Sequence, residues 1–109
     1  MERLAVTAKL KPDSSARVSE LIKEGPPFDL AAAGFDRHAV YFGNDLVVFV
    51  FEAERAERLV DNVVNDPAIS AAFSAWAPIL DGPPTLARPV YHWERTKDGG
   101  TLHWDEGWE

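Results

Sequence analysis

Residues 35–52 read FDRHAVYFGNDLVVFVFE, two apolar-rich runs flanking the compact polar stretch Gly43-Asn44-Asp45. Phe35 to Phe42 and Leu46 to Glu52 are therefore expected to pair as an antiparallel hairpin around that turn. The second run, Leu46-Val47-Val48-Phe49-Val50-Phe51, is apolar at every position, whereas a strand with one wet side alternates apolar with polar. A strand of this kind needs cover on both faces. Helices supply one cover, and a second copy of the chain packing sheet to sheet is the economical source of the other. A ligand groove on that second face is the competing explanation.

The pattern extends in both directions from the hairpin. Upstream, Leu4, Val6, Ala8 and Leu10 alternate with Ala5, Thr7 and Lys9, the period of a strand. Pro12, Asp13 and Ser14 offer a break and helix caps. Val18, Leu21 and Ile22 then supply an apolar stripe at helical spacing, which Gly25 ends. Asp29 is placed to cap a single turn, Leu30 to Ala33, and Gly34 returns the chain to strand. Downstream, Ala56, Leu59, Val60, Val63 and Val64 form another helical stripe. Asp66-Pro67 is placed to open a further helix carrying Ile69, Ala72, Phe73 and Trp76, with Pro78 ending it. Two similar corners, Glu24-Gly25-Pro26-Pro27 and Asp81-Gly82-Pro83-Pro84, close the helical regions, and the second leads to a strand over about Leu86 to Arg95. The order β-α-β-β-α-β predicts an α+β, ferredoxin-like sandwich over residues 1–96, with a C-terminal β-hairpin strand and tail over 97–109.

Composition narrows the function classes. At 109 residues the chain can bury a core without staples, and its lack of cysteine excludes disulfides, thiolate catalysis and zinc-thiolate sites. A net charge of −7 with no basic block disfavours nucleic acid as a partner. No charged apolar leader opens the chain, and no apolar run approaches the ~20 residues that span a bilayer. The expectation is a cytoplasmic protein with no membrane partner.

Lys11-Pro12-Asp13 after the first strand, Gly34 before Phe35 to Phe42, the strand Leu46 to Glu52, and Asp66 opening a tryptophan-bearing helix together resemble the dimeric α/β-barrel superfamily. Order and spacing are most similar to the L-rhamnose mutarotases, with antibiotic-biosynthesis monooxygenase-type and stress-responsive barrels as wider relatives. The resemblance spans roughly residues 3–95 and rests on short motifs. It implies a homodimer with facing sheets, a small-molecule pocket, and, in the mutarotase branch, acid/base chemistry on a sugar ring by a histidine, a tyrosine and tryptophans. On this alignment the family's catalytic tyrosine falls at His38 and a second tyrosine of the strand at Tyr41. Residues 19–25, where the family carries its histidine, contain none, and its tryptophan pair is represented by Trp76 and Ala77.

His38 is the candidate acid/base. With a three-residue turn, His38 lies opposite Val50, and Asp36, His38 and Glu52 share a face where a carboxylate can orient the imidazole. A two-residue turn shifts the pairing and breaks that cluster. The plain alternative is a half-buried strand histidine hydrogen-bonded to a neighbour. Tyr41 has the opposite parity and is expected in the core with its hydroxyl at the edge. Asp36, Tyr41, Glu52 and Trp76 are the candidate substrate-binding residues.

The tail carries its own pattern. A two-residue turn at Asp98-Gly99 sets Trp93 against Trp104, Glu94 against His103, and His92 against Asp105. His92, Glu94, His103 and Asp105 then share one face. Cross-strand pairs worth about 0.2–1 kcal/mol each explain these residues without a metal, and a divalent ion such as zinc is the alternative. The tryptophans, Trp108 included, have apolar area to bury, and the added strand could cap the sheet edge or reach a partner. Ser14, Ser15 and Ser19 read as cap and surface residues, Glu54 to Arg58 as a solvated helix face, and no glycine-rich phosphate loop is present. The leading function is binding of a small organic molecule, with cofactor-independent isomerase or mutarotase-like chemistry at His38. The alternative is a non-catalytic dimeric binding or assembly module.

Overall fold

The computed structural model describes residues 2–26, 28–65 and 74–104, without the side chains of 63 and 64. The expected Asp66-capped helix with Ile69, Ala72 and Phe73, the stripe positions Val63 and Val64, and Asp105 and Trp108 lie outside the described residues.

Strand β1 (Glu2–Lys9) is followed by α1 (Ser15–Lys23), the single turn α2 (Leu30–Ala33), β2 (Arg37–Phe42), β3 (Leu46–Ala53), α3 (Ala56–Asn65), a 3-10 turn (Ala77–Ile79) and β4 (Thr85–Ala87). These strands form one antiparallel sheet in the order β2-β3-β1-β4, the ferredoxin-like arrangement. Strands β5 (Tyr91–Glu94) and β6 (Thr101–Trp104) form a separate two-stranded sheet.

Local chemistry sets the boundaries. Ser14 occupies the N-cap of α1, but its hydroxyl donates to the Lys11 carbonyl at 2.7 Å instead of accepting from the helix, so it ties the preceding loop. Asp13 just before it has φ of 62°, a conformation that Asp tolerates better than most residues. Gly25 ends the helix with φ of 84°, its N–H bonded to the Ile22 carbonyl at 3.0 Å. Asp29 caps α2 by accepting from the Ala32 N–H at 3.1 Å, and Gly34 closes that turn in the left-handed region. The Asp81 N–H bonds the Lys9 carbonyl and the Lys11 N–H bonds the Ile79 carbonyl, so the second corner is pinned to the end of β1.

Cross-strand pairing assigns each side chain to a face. On one side lie the rows His38–Phe51–Leu4, Val40–Phe49–Val6–Leu86 and Phe42–Val47–Ala8. The helices cover this side. Leu4, Phe35, Phe51, Ala53, Ala56 and Val60 form a core cluster towards α3, and Ala8, Leu10, Val18, Leu21, Val47 and Trp76 form one towards α1. Phe49 packs against both. Val18 and Val47 are fully buried, each contributing about 1.5–3 kcal/mol by leaving water. The opposite side carries the rows Arg37–Glu52–Arg3, Ala39–Val50–Ala5–Ala87 and Tyr41–Val48–Thr7–Thr85, with no helix over it among the described residues. Both sides of β3 are apolar, as its sequence requires.

Three expectations need correction. The turn after β2 is the two-residue form: the Gly43 N–H bonds the Leu46 carbonyl at 2.7 Å, Phe42 pairs with Val47, and His38 faces Phe51 instead of Val50. The strand expected over Leu86 to Arg95 is interrupted at Arg88-Pro89-Val90, because Pro89 has no N–H to give a ladder. β5 therefore pairs only with β6 among the described residues, and does not extend the main sheet. In that hairpin Tyr91 pairs with Trp104, His92 with His103, Trp93 with Leu102 and Glu94 with Thr101, so the connection is longer than the two residues expected.

The His38 cavity as the candidate functional site

Edge strand β2 sets His38 on the helix-covered side of the sheet. Its ring stacks on Phe51, with centroids 4.6 Å apart and planes 26° apart, and lies parallel to Phe49 at 6.5 Å. Nδ1 sits 3.0 Å from the Val50 carbonyl oxygen. A carbonyl can only accept, so Nδ1 carries the proton and the neutral ring keeps its lone pair on Nε2. Burial holds the pKa of His38 below the usual 6.5, and the bond to Val50 opposes that shift without cancelling it. At neutral pH the side chain is a neutral imidazole with one nitrogen anchored.

Beside it lies a cavity of about 120 Å³. His38 and Val40 of β2 and Phe49 of β3 form its sheet wall, and Leu21 and Ile22 of α1 form the helix wall. Trp76 packs edge-on against Phe49, with centroids 5.2 Å apart and planes 83° apart, and is 8% exposed. Gly25 and Pro26 of the first corner complete the lining. Among the described lining residues, the imidazole of His38 and the indole N–H of Trp76 are the side-chain polar groups. An apolar cavity of ~150 Å³ accepts a benzene-sized molecule, so this space suits one ring.

His38 and Trp76 are thus brought to one cavity, and the other sequence candidates are not. Glu52 points to the helix-free face, where its Oε1 accepts from the Arg3 Nε at 2.8 Å. Asp36 precedes β2 and is exposed, its N–H bonded to the Glu52 carbonyl. The expected Asp36-His38-Glu52 cluster does not form, because the two-residue turn puts Glu52 and His38 on opposite sides. Tyr41 is 63% exposed on the helix-free face, not in the core. On the hairpin, the His92 and His103 rings stack at 4.6 Å, and the Glu94 Oε2 lies 3.4 Å from the His103 Nε2. Leu21, Ile22 and Pro26 were not foreseen as lining residues. The available signal was that the Gly25-Pro26 corner follows the helix that must pack across the edge strand.

No protein-family model matches the sequence, and no curated protein matches it significantly. Solved structures do. The chain is similar to an L-rhamnose mutarotase from Formosa agariphila at 14% identity, covering 86% of this chain and 100% of the other, with a TM-score of 0.66. It is similar to a protein of unknown function from Nitrosomonas europaea at 27% identity, covering 80% and 84%, with a TM-score of 0.57. It is also similar to tetracenomycin F2 cyclase from Streptomyces glaucescens, a type-II polyketide cyclase, at 19% identity over 100% and 98% of the two chains, with a TM-score of 0.54. Strand order, the helices on one face and these likenesses agree that the chain has a ferredoxin-like fold, as its sequence predicts.

Proposed function

We propose that the chain binds a compact, mainly apolar cyclic molecule, or one ring of a larger one, beside His38, which acts as a cofactor-independent general base in an isomerisation. The observation that carries this reading is the anchored, neutral imidazole set against an apolar cavity of ring size. With Nδ1–H held by Val50, Nε2 accepts a proton from a ligand O–H or an acidic C–H. Returning that proton to a different ligand atom completes a tautomeric shift with atoms and charge balanced, and no cofactor is needed.

The lining also favours one ligand class over another. A free sugar brings several hydroxyls, and each one buried without a partner costs about 1–3 kcal/mol. One imidazole and one indole N–H cannot satisfy them. An apolar ring with a single acidic group fits better than the sugar that the mutarotase neighbour's name suggests.

The protein acts as a homodimer joined through the helix-free sheet faces. Ala39, Val50, Ala5 and Ala87 present a small-residue apolar row there, and Tyr41 and Val48 extend it. No helix among the described residues is long and apolar enough to cross a membrane.

A panel of phenols, cyclic 1,3-diketones and reducing sugars, L-rhamnose included, tests the activity. Proton exchange is followed by NMR in deuterated buffer. Exchange at a cyclic diketone C–H should be accelerated by the protein and lost in His38→Gln. Acceleration that persists unchanged in that variant would remove His38 from the chemistry.

A further inference from the structure

We propose that the His92, Glu94 and His103 face of the β5–β6 hairpin binds one divalent ion of the zinc class through two imidazoles and a carboxylate, with water completing the coordination. This site is separate from the His38 cavity and does not rest on the activity assigned there.

The pairing itself builds the donor set. His92 and His103 are directly opposite each other, and Glu94 lies two residues along β5 on the same face. One ligating atom from each of the three falls within 4.8 Å of the others. Tetrahedral zinc with bonds of about 2.0–2.1 Å places neighbouring donors about 3.4 Å apart. The His103 Nε2 and Glu94 Oε2 already stand at 3.4 Å. The His92 donor must close by at most about 1.4 Å, a side-chain adjustment that half-buried and exposed positions on a two-stranded sheet can make.

The chemistry of the set selects the ion. Two imidazoles with one carboxylate suit zinc and its neighbours, whereas calcium and magnesium take shells of oxygen ligands. The chain has no cysteine to offer a competing thiolate site. Three of its residues are histidines, and two of them are spent on this one cross-strand pair. As an ion pair alone, the exposed contact between Glu94 and His103 contributes little.

The opposite face of the hairpin supports the site by fixing its register. Tyr91, Trp93, Leu102 and Trp104 share that face. Tyr91 and Trp104 pack ring to ring at 5.2 Å, and the Trp93 indole lies so close over Gly100 that a Cβ there would fall 2.1 Å from its ring. A two-stranded hairpin is marginal in water, so an ion clamping both strands adds order where the backbone alone supplies little.

Zinc chloride titrated by calorimetry into the full chain, purified without a histidine tag, tests the proposal. One zinc per chain is expected, and cobalt(II) should give the visible absorption of a four-coordinate ion. Replacing a ligand should cost at least the ~10-fold that loss of a supporting partner costs. His92→Ala, His103→Ala and Glu94→Gln should each therefore weaken zinc binding by that much, while His38→Ala leaves it unchanged. Glu94→Gln keeps the side chain's size, and circular dichroism of the tryptophans checks that its hairpin is intact. Absence of saturable zinc binding, or equal affinity in the His92→Ala/His103→Ala double variant, overturns the proposal.

Discussion

The Nδ1–H of His38 donates to the Val50 carbonyl across the β2–β3 ladder at 3.0 Å, which fixes both the tautomer and the tilt of the ring. The contact joins an edge-strand side chain to the backbone of the central strand. It leaves Nε2 as the one nitrogen that a ligand can address.

Stability should depend on pH through this residue. The folded-state pKa of His38 lies below its unfolded value of about 6.5, so below that pH the unfolded chain binds a proton that the folded chain resists. The stabilisation is complete above pH ~6.5 and is lost as pH falls through the folded value. Denaturant unfolding at pH 7.5 and 5.5 should show a smaller pH decrement in His38→Phe than in the native chain. An equal decrement in both would assign the effect to other groups.

Trp76 closes the cavity and belongs to the core cluster of Val18, Leu21 and Val47. Trp76→Ala should destabilise the chain by about 3–5 kcal/mol through lost burial and an enlarged void. Trp76→Phe retains the edge-on partner for Phe49 and should cost clearly less. Urea midpoints with an unchanged slope measure both.

The helix-free face predicts a second effect at Tyr41. Because this side chain is 63% exposed in the single chain, Tyr41→Glu should leave the fold intact. In the proposed dimer the same change would bury a charge between facing sheets. Light scattering after gel filtration should report a dimer for the native chain and a monomer for the variant at micromolar concentration. A native monomer would remove sheet-to-sheet assembly from the account.

Gly100→Ala addresses the hairpin alone. Its Cβ would meet the Trp93 ring at 2.1 Å, so the indole must leave its place over the turn. Loss of the near-ultraviolet signal of the hairpin tryptophans is expected, without a shift in the main unfolding midpoint. The core clusters contain no hairpin residue, which is why the two readouts separate.

Element order and strand order were legible because apolar periodicity and the Gly-Pro-Pro corners point to the same plan. Register was not, and the two errors had unequal consequences. Around Asn44-Asp45 the pairing differs from the expected one by one residue, which transfers Glu52 to the face opposite His38 and dissolves the proposed carboxylate-imidazole group. In the tail Trp104 pairs with Tyr91 instead of Trp93, a shift of two, and a shift of two preserves parity. The grouping of His92, Glu94 and His103 on one face therefore survived a wrong turn length. Tyr41 was misplaced for a different reason: an aromatic residue on a strand reads as core, while the sequence does not say which face the helices cover. Pro89 carried the signal for the interrupted fourth strand, and the apolar residues around it masked that signal.

Binding of a ligand beside His38 in the cavity beneath α1 is tested by NMR of the chain with 15N-labelled imidazole and indole nitrogens during titration with phenol, a ring-sized probe with one acidic hydroxyl. Saturable shifts are expected at the His38 Nε2 and the Trp76 indole nitrogen, with the resonances of His92 and His103 unmoved. Saturable phenol binding that leaves His38 unperturbed, or no binding at millimolar phenol, would contradict binding at that site.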